Sequence, residues 1–250
     1  MKHVLPYSLF ENQTAIQTLS KEQVSWLDNC TSGTWQLNPQ TGEVDVEGDF
    51  SCNMQGLSDF NGVRFGRVKG DFHCSDNQLT SLVGAPQDAG RGFYCDYNQL
   101  TTLEGAPQKV KGDFDCGNNQ LSSLEGAPQY VGGGFYCRDN QLTTLEGAPQ
   151  EVGGDFRGHK NQLTSLEGAP REVGGDFICY HNPVSNQTLK NIFKLMKKRK
   201  GYLEAVESIW TGIPVEDQSL LYRPEFEWIG TEEARKLEAL KAYQGFKGMI

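Results

Sequence analysis

The sequence predicts a solenoid, a chain wound into near-identical turns with short parallel strands stacked in register, and three observations carry that prediction. Phenylalanines recur at Phe50, Phe72, Phe93, Phe114, Phe135, Phe156 and Phe177, spaced by 22 residues once and by 21 residues five times. A fixed period in this range marks one supersecondary unit stacked on copies of itself. The wording around the Phe residues also repeats with few departures: GDF, GGF or RGF, Cys at +2, Asn at +5, Leu at +7 and +10, then Gly-Ala-Pro. Finally, apolar residues at 0 and +2 share one face of a strand, because strand side chains alternate with a period of two.

Residues 1–42 do not repeat. Ser20 followed by Gln23 makes a capping box, and Val24, Trp26 and Leu27 give a short helix an apolar side. The run TWQLN, the turn PQTG and the run EVDVE predict a hairpin across 34–47. An array needs an end that covers its first open strand, since an exposed sheet edge invites mispairing. The segment is therefore expected to be an N-terminal cap.

Residues 43–183 hold seven copies. The first is degenerate, with Gln55 in the Asn position, Phe60 for the second Leu, and one extra residue before Val68. Stacking the copies predicts a parallel sheet with strands about 4.8 Å apart, its buried side a ladder of phenyl rings beside a ladder of thiols. The Asn column (Asn77, Asn98, Asn119, Asn140, Asn161, Asn182) falls where the chain must leave the strand. A side-chain amide can donate and accept there, to freed backbone groups or to the next Asn of the stack. Gly before Ala-Pro permits a sharp return and Pro holds Ala extended, which predicts an extended or polyproline-like convex side.

Residues 184–250 do not repeat either. Ser185 is placed to cap a helix reaching about Lys198, YLEAVESIW reads as a second short helix, and Thr231 starts a third. These predict a helical C-terminal cap. The basic run Lys197–Lys200 suits a helix C-terminus, where cations are favoured.

The formal net charge of −9 is concentrated in the array, where residues 43–183 hold 10 Lys/Arg against 20 Asp/Glu. Such a surface is a poor match for a phosphate backbone, whose affinity comes from cationic contacts, so nucleic acid is not an expected partner. No apolar run of about 18 residues predicts a membrane span, and the first residues show no secretory leader pattern. Six of the seven cysteines (Cys52, Cys74, Cys95, Cys116, Cys137, Cys179) share one repeat position. That regularity reads as a column of buried, reduced thiols and not as a disulfide framework, and a cytoplasmic protein is expected.

The FxCxxNxLxxL frame resembles the leucine-rich repeat, with LxxLxLxxNxLxxL as the family pattern. The resemblance covers roughly residues 44–183 and departs from the pattern where Phe and Cys replace leucines and Gly158 replaces Cys. The short period and Pro-bearing back are similar to the bacterial short-repeat class. The GDFxCxxNQLTSLEGAP wording looks most like repeat proteins encoded by tailed bacteriophages and some bacteria. The resemblance implies an α/β solenoid with helical caps at both ends and a concave, strand-lined binding face. Some effectors of the class carry a ubiquitin-ligase domain after the repeats. Residues 184–250 contain no Cys to supply its thiol nucleophile, which disfavours that activity.

With 0 and +2 in the core, offsets −1, +1, +3 and +4 are assigned to solvent. Their columns vary while the core columns barely change, and they collect Tyr94, Tyr97, Asp115, Tyr136, Arg138, Arg157, His159, Lys160, Ile178, Tyr180 and His181. Tyr and Arg anchor protein interfaces, so these residues are the candidate site for a protein partner. The alternative is a solvated sheet whose charges pair across strands, Asp139 with Lys160 for example. A metal reading of the thiol column fails because ligands in a straight row do not converge on one ion. His159, His181 and Asp139 form a weaker metal candidate. No GxSxG, phosphate-binding loop or HExxH is present.

The expectation is thus a non-enzymatic binding module without cofactor, encoded by a phage and acting on a host bacterial protein. The alternatives are a structural or assembly component of a virion and a metal-dependent enzyme built on His159 and His181.

Overall fold

A computed structural model describes residues 18–164, 166–179 and 181–183 of the chain. The expected C-terminal helices and Tyr180 lie outside these residues.

The described chain begins as its sequence dictates. Ser20 Oγ accepts the Gln23 N–H at 3.2 Å and Gln23 Oε1 accepts the Ser20 N–H at 2.8 Å. This reciprocal box satisfies two helix-end donors and starts helix α1, Lys21–Cys30. The helix buries Leu27 and Cys30 and sets the edge of Trp26 against Phe50, at 5.2 Å between ring centroids and 75° between planes. Thr31–Ser32 then pairs antiparallel with Asp49 and Phe50. Trp35–Leu37 pairs antiparallel with Val44–Val46, which is the expected hairpin. The N-terminal segment thereby covers the first edge of both sheets described next.

From there the chain is a β-solenoid. The phenylalanine sheet stacks Asp49–Ser51, Phe72–His73, Phe93–Tyr94, Phe114–Asp115, Phe135–Tyr136, Phe156–Arg157 and Phe177–Ile178, all parallel and Phe upon Phe. Successive rings lie nearly face to face, from 5.0 Å and 9° for Phe156–Phe177 to 5.6 Å and 13° for Phe135–Phe156. Full burial of one such ring stabilises by roughly 2–3 kcal/mol, and the stack makes every turn depend on its neighbours. The thiols stand beside the rings, buried. Burial pushes the thiols of Cys74, Cys95, Cys116 and Cys137 well above their ordinary value, so they stay protonated and serve as small apolar side chains.

The expected extended back is in part a second sheet. Two-residue strands such as Lys109–Val110, Tyr130–Val131 and Glu151–Val152 stack parallel in register and continue the ladder from Trp35–Leu37 to Glu172–Val173. Their Val residues point into the core. Between the two +7/+10 leucines and this strand the chain turns at Gly-Ala-Pro. Ala106 N–H donates to Leu103 O, with Gly105 at φ 91° as the third residue of the turn. Gly84, Gly126, Gly147 and Gly168 repeat that positive φ, which is why the position is always glycine.

The Asn column is buried, but its amides bond to backbone and not to one another. Asn119 Nδ2 donates to the carbonyls of Cys116 and Gly117 in its own turn and of Cys95 in the preceding one, at 3.0–3.1 Å. Its Oδ1 accepts the Leu100 N–H of the preceding turn at 2.9 Å. Stacked Asn–Asn bonds are excluded because the backbone freed at this corner already takes both ends of each amide. Of the helices expected at both ends, the N-terminal one is α1, and those expected in residues 184–250 lie outside the described residues. The repeats themselves are mostly sheet and not α/β, because two strands and the turns between them leave no stretch of the 21-residue unit long enough for a helix. No helix among the described residues is long and apolar enough to cross a membrane.

Candidate binding face

The face of the phenylalanine sheet opposite its rings carries the sequence-predicted site. Four offsets were assigned to it, and the structure separates them. Offset −1 is largely structural. Asp49, Asp71, Asp113 and Asp155 each accept the N–H at the same offset of the next turn, at 2.7–3.0 Å. Variation in this column therefore does not mark it as a recognition surface.

Offset +4 is a corner. Met54, Asp76, Tyr97, Asn118, Asp139, Lys160 and His181 all adopt φ of 52–57°, the left-handed region that side chains other than glycine enter at a cost. The backbone ladder pins them there, since Tyr97 N–H donates to Gly117 O and Asp139 N–H to His159 O. The bend throws Tyr97, Lys160 and His181 outward, with Tyr97 51% exposed. It also draws offset +3 underneath, so that His159 and Ser75 are buried and not on the open face as expected. Burial pushes the His159 imidazole below its ordinary value. No three His, Cys, Asp or Glu side chains among the described residues form a group able to hold a metal ion, and the His159–His181–Asp139 idea loses its geometry.

Offset +1 is the outward row: His73, Tyr94, Asp115, Tyr136, Arg157 and Ile178, each in register with the next and half-buried except for exposed Arg157. Tyr94 and Tyr136 lie back over Gly92 and Gly134. A Cβ at those glycines would come within 2.5 and 2.2 Å of the tyrosine side chains. These two turns replace the offset −1 Asp by Gly and are the two described turns with Tyr at +1, so the glycine is a notch for the ring. The sequence holds that coupling in plain view, as GFY against GDF.

Cross-strand pairing is present as well: Lys160 reaches Asp139 at 3.2 Å and Arg138 approaches Asp115 at 3.5 Å. Arg157 pairs within its own turn, with Asp155 at 2.9 Å. The basic residues of the later turns are thus tied to carboxylates, and Arg157 also lies 5.4 Å over the Tyr136 ring. Around turns two to four lie the carboxylates of Asp71, Asp96, Asp113 and Asp115, of which Asp115 pairs with Arg138. Burial, with Asp113 and Asp71 behind it, pushes the Tyr94 phenol up to about 12.

Asp115 is the most perturbed carboxyl of the face. Burial foremost, aided by Asp96 and Asp113, lifts it to about 6 against the opposing pull of the Gly117 N–H and Arg138. An acid raised in the folded state binds more protons folded than unfolded. Its contribution to stability therefore falls as pH rises from about 4 to about 6, and stays low above that. Asp115→Asn keeps an acceptor for the Gly117 N–H. It is expected to exceed the parent in stability by on the order of 2 kcal/mol at pH 7 and to match it near pH 4. Urea denaturation at the two pH values checks this; equal stability at both would refute it.

Compared with known proteins, the chain matches no family model and no curated protein.

Proposed function

We propose that the chain is a non-enzymatic binding protein whose protein partner seats on the outward face of the phenylalanine sheet. The observation that carries this reading is the pair of tyrosines notched into Gly92 and Gly134. A stack needs no ring there, since the other turns hold with Asp in the same column. The notch gives each aromatic a fixed pose on a rigid support, so little conformational entropy is lost when a partner covers it. The resemblance to short leucine-rich repeats of phage and bacterial origin agrees with a recognition role. It points to a protein encoded by a phage that engages a host bacterial protein in the cytoplasm.

The test is capture from bacterial lysate by the wild-type chain and by a Tyr136→Ala/Arg138→Ala/Arg157→Ala variant. A protein retained by the first and lost from the second supports the reading. Identical capture by both overturns it, and sedimentation of the purified chain as particles or filaments would transfer support to an assembly role.

A further inference from the structure

The offset +1 row has a slot at its centre. One face of the Tyr94 ring is covered by His73 of the preceding turn, at 4.6 Å and 7°. One face of the Tyr136 ring is covered by the Arg157 guanidinium of the following turn, at 5.4 Å. Because register runs His73, Tyr94, Asp115, Tyr136, Arg157, the two remaining ring faces look toward each other across the turn of Phe114. The row has no ring or cation at that step. Asp115 stands there, and it leans away from the rings, with Oδ1 accepting the Gly117 N–H at 2.8 Å. Arg138 meets Asp115 from that same far side, since a Cβ on Gly117 would touch its Nη1 at 2.9 Å. At the level of the rings stands Asp113. Its Oδ1 accepts the Gly134 N–H at 2.7 Å, which leaves Oδ2 without a partner among the described residues.

We propose that this slot, walled by Tyr94 and Tyr136 and floored by Asp113 and Asp115, binds an arginine side chain of the protein partner. The proposal rests on the outward face being the recognition surface. Two strand steps separate the walls by about 9.6 Å, so a cation midway is about 4.8 Å from each ring, inside the range of about 6 Å for cation–π attraction. The protein shows the same contact twice at one strand step, with Arg157 over Tyr136 at 5.4 Å and Lys109 over Tyr130 at 5.1 Å. The charge is complementary, because Asp71, Asp96, Asp113 and Asp115 gather around the slot, while Arg138 is paired with Asp115 and Arg157, beyond the far face of Tyr136, is paired with Asp155. A guanidinium suits it better than an ammonium: its plane lies against aromatic faces while its edge forks onto carboxylate oxygen. An anion would meet repulsion on the same ground.

The experiment is a titration of the isotope-labelled full chain with the peptide acetyl-Gly-Arg-Gly-amide, followed by backbone amide NMR. Peptides with citrulline, the neutral isostere, and with lysine are the controls. Saturable shifts are expected at Gly134, Gly117 and the Tyr94 and Tyr136 amides, and none with citrulline. Tyr94→Leu/Tyr136→Leu should weaken binding at least about tenfold. Asp113→Asn, which retains the acceptor for Gly134, should do the same with an unchanged spectrum of the folded state. Equal response to citrulline, shifts confined to other surfaces, or unaltered binding by both variants overturns the slot. Lysine binding as tightly as arginine overturns the assignment of the side chain. The two readings fail separately: the slot fails in this titration, whereas the binding face fails when lysate capture ignores the Tyr136, Arg138 and Arg157 substitutions.

Discussion

Asn119→Ala is expected to lose about 3–5 kcal/mol of unfolding free energy, read as a shift of the urea midpoint. Alanine removes the donor shared by the carbonyls of Cys95, Cys116 and Gly117 and the acceptor of the Leu100 N–H. All of these groups lie at a corner where Asn119 itself is 8% exposed, so water does not replace the lost bonds. Leaving several buried polar groups unsatisfied costs more than the few bonds were worth on balance. The neighbouring Gln120→Ala, at an exposed position, should stay within about 0.5 kcal/mol of the parent. A loss at Asn119 as small as that of Gln120 would show that the corner is held by the ladder alone.

The second large effect is at the ring stack. Phe114 lies between Phe93 at 5.5 Å and Phe135 at 5.4 Å, with interplanar angles of 12° and 9°. Phe114→Ala opens a cavity in the middle of the array and is expected to cost about 3–5 kcal/mol. Both neighbouring turns share the damage, because a one-dimensional stack depends on nearest-neighbour contacts. Amide hydrogen exchange should therefore quicken at Phe93, Cys95, Phe135 and Cys137 together. Quickening restricted to the turn of Phe114 would mean that the turns are energetically independent.

Much of this fold was legible in the sequence because the stack needs sameness. The recurring Phe and Cys fixed which face is buried, the recurring Asn marked the corner, and Ser20 with Gln23 announced the helix. The second sheet was not legible. A strand of two residues such as Lys109–Val110 is too short for alternation to register, and its neighbours on either side are turns. The left-handed corner was hidden for another reason. Met54, Tyr97 and Lys160 are not residues that choose positive φ, and the ladder imposes it on them. The candidate site was half legible. Tyr94, Asp115 and Tyr136 are where the alternation of the strand puts them, on the outward row. His159 went under because the bend at the next residue turns its offset inward. Asp113, counted among the variable residues, turned out to bridge two turns, and its link to the tyrosines appears only when Gly92 and Gly134 are read together with the rings they accommodate.

The central claim is that recognition lies on the outward face of the phenylalanine sheet, centred on the Tyr94–Tyr136 row, and not on the second sheet. Hydrogen-exchange mapping of the chain bound to its captured partner tests it most directly. Protection is predicted in the segments 92–97, 113–118 and 134–139, with none added at 109–110, 130–131 or 151–152 of the second sheet. Protection of the second sheet, with the Tyr94–Tyr136 row left unchanged, would contradict the account.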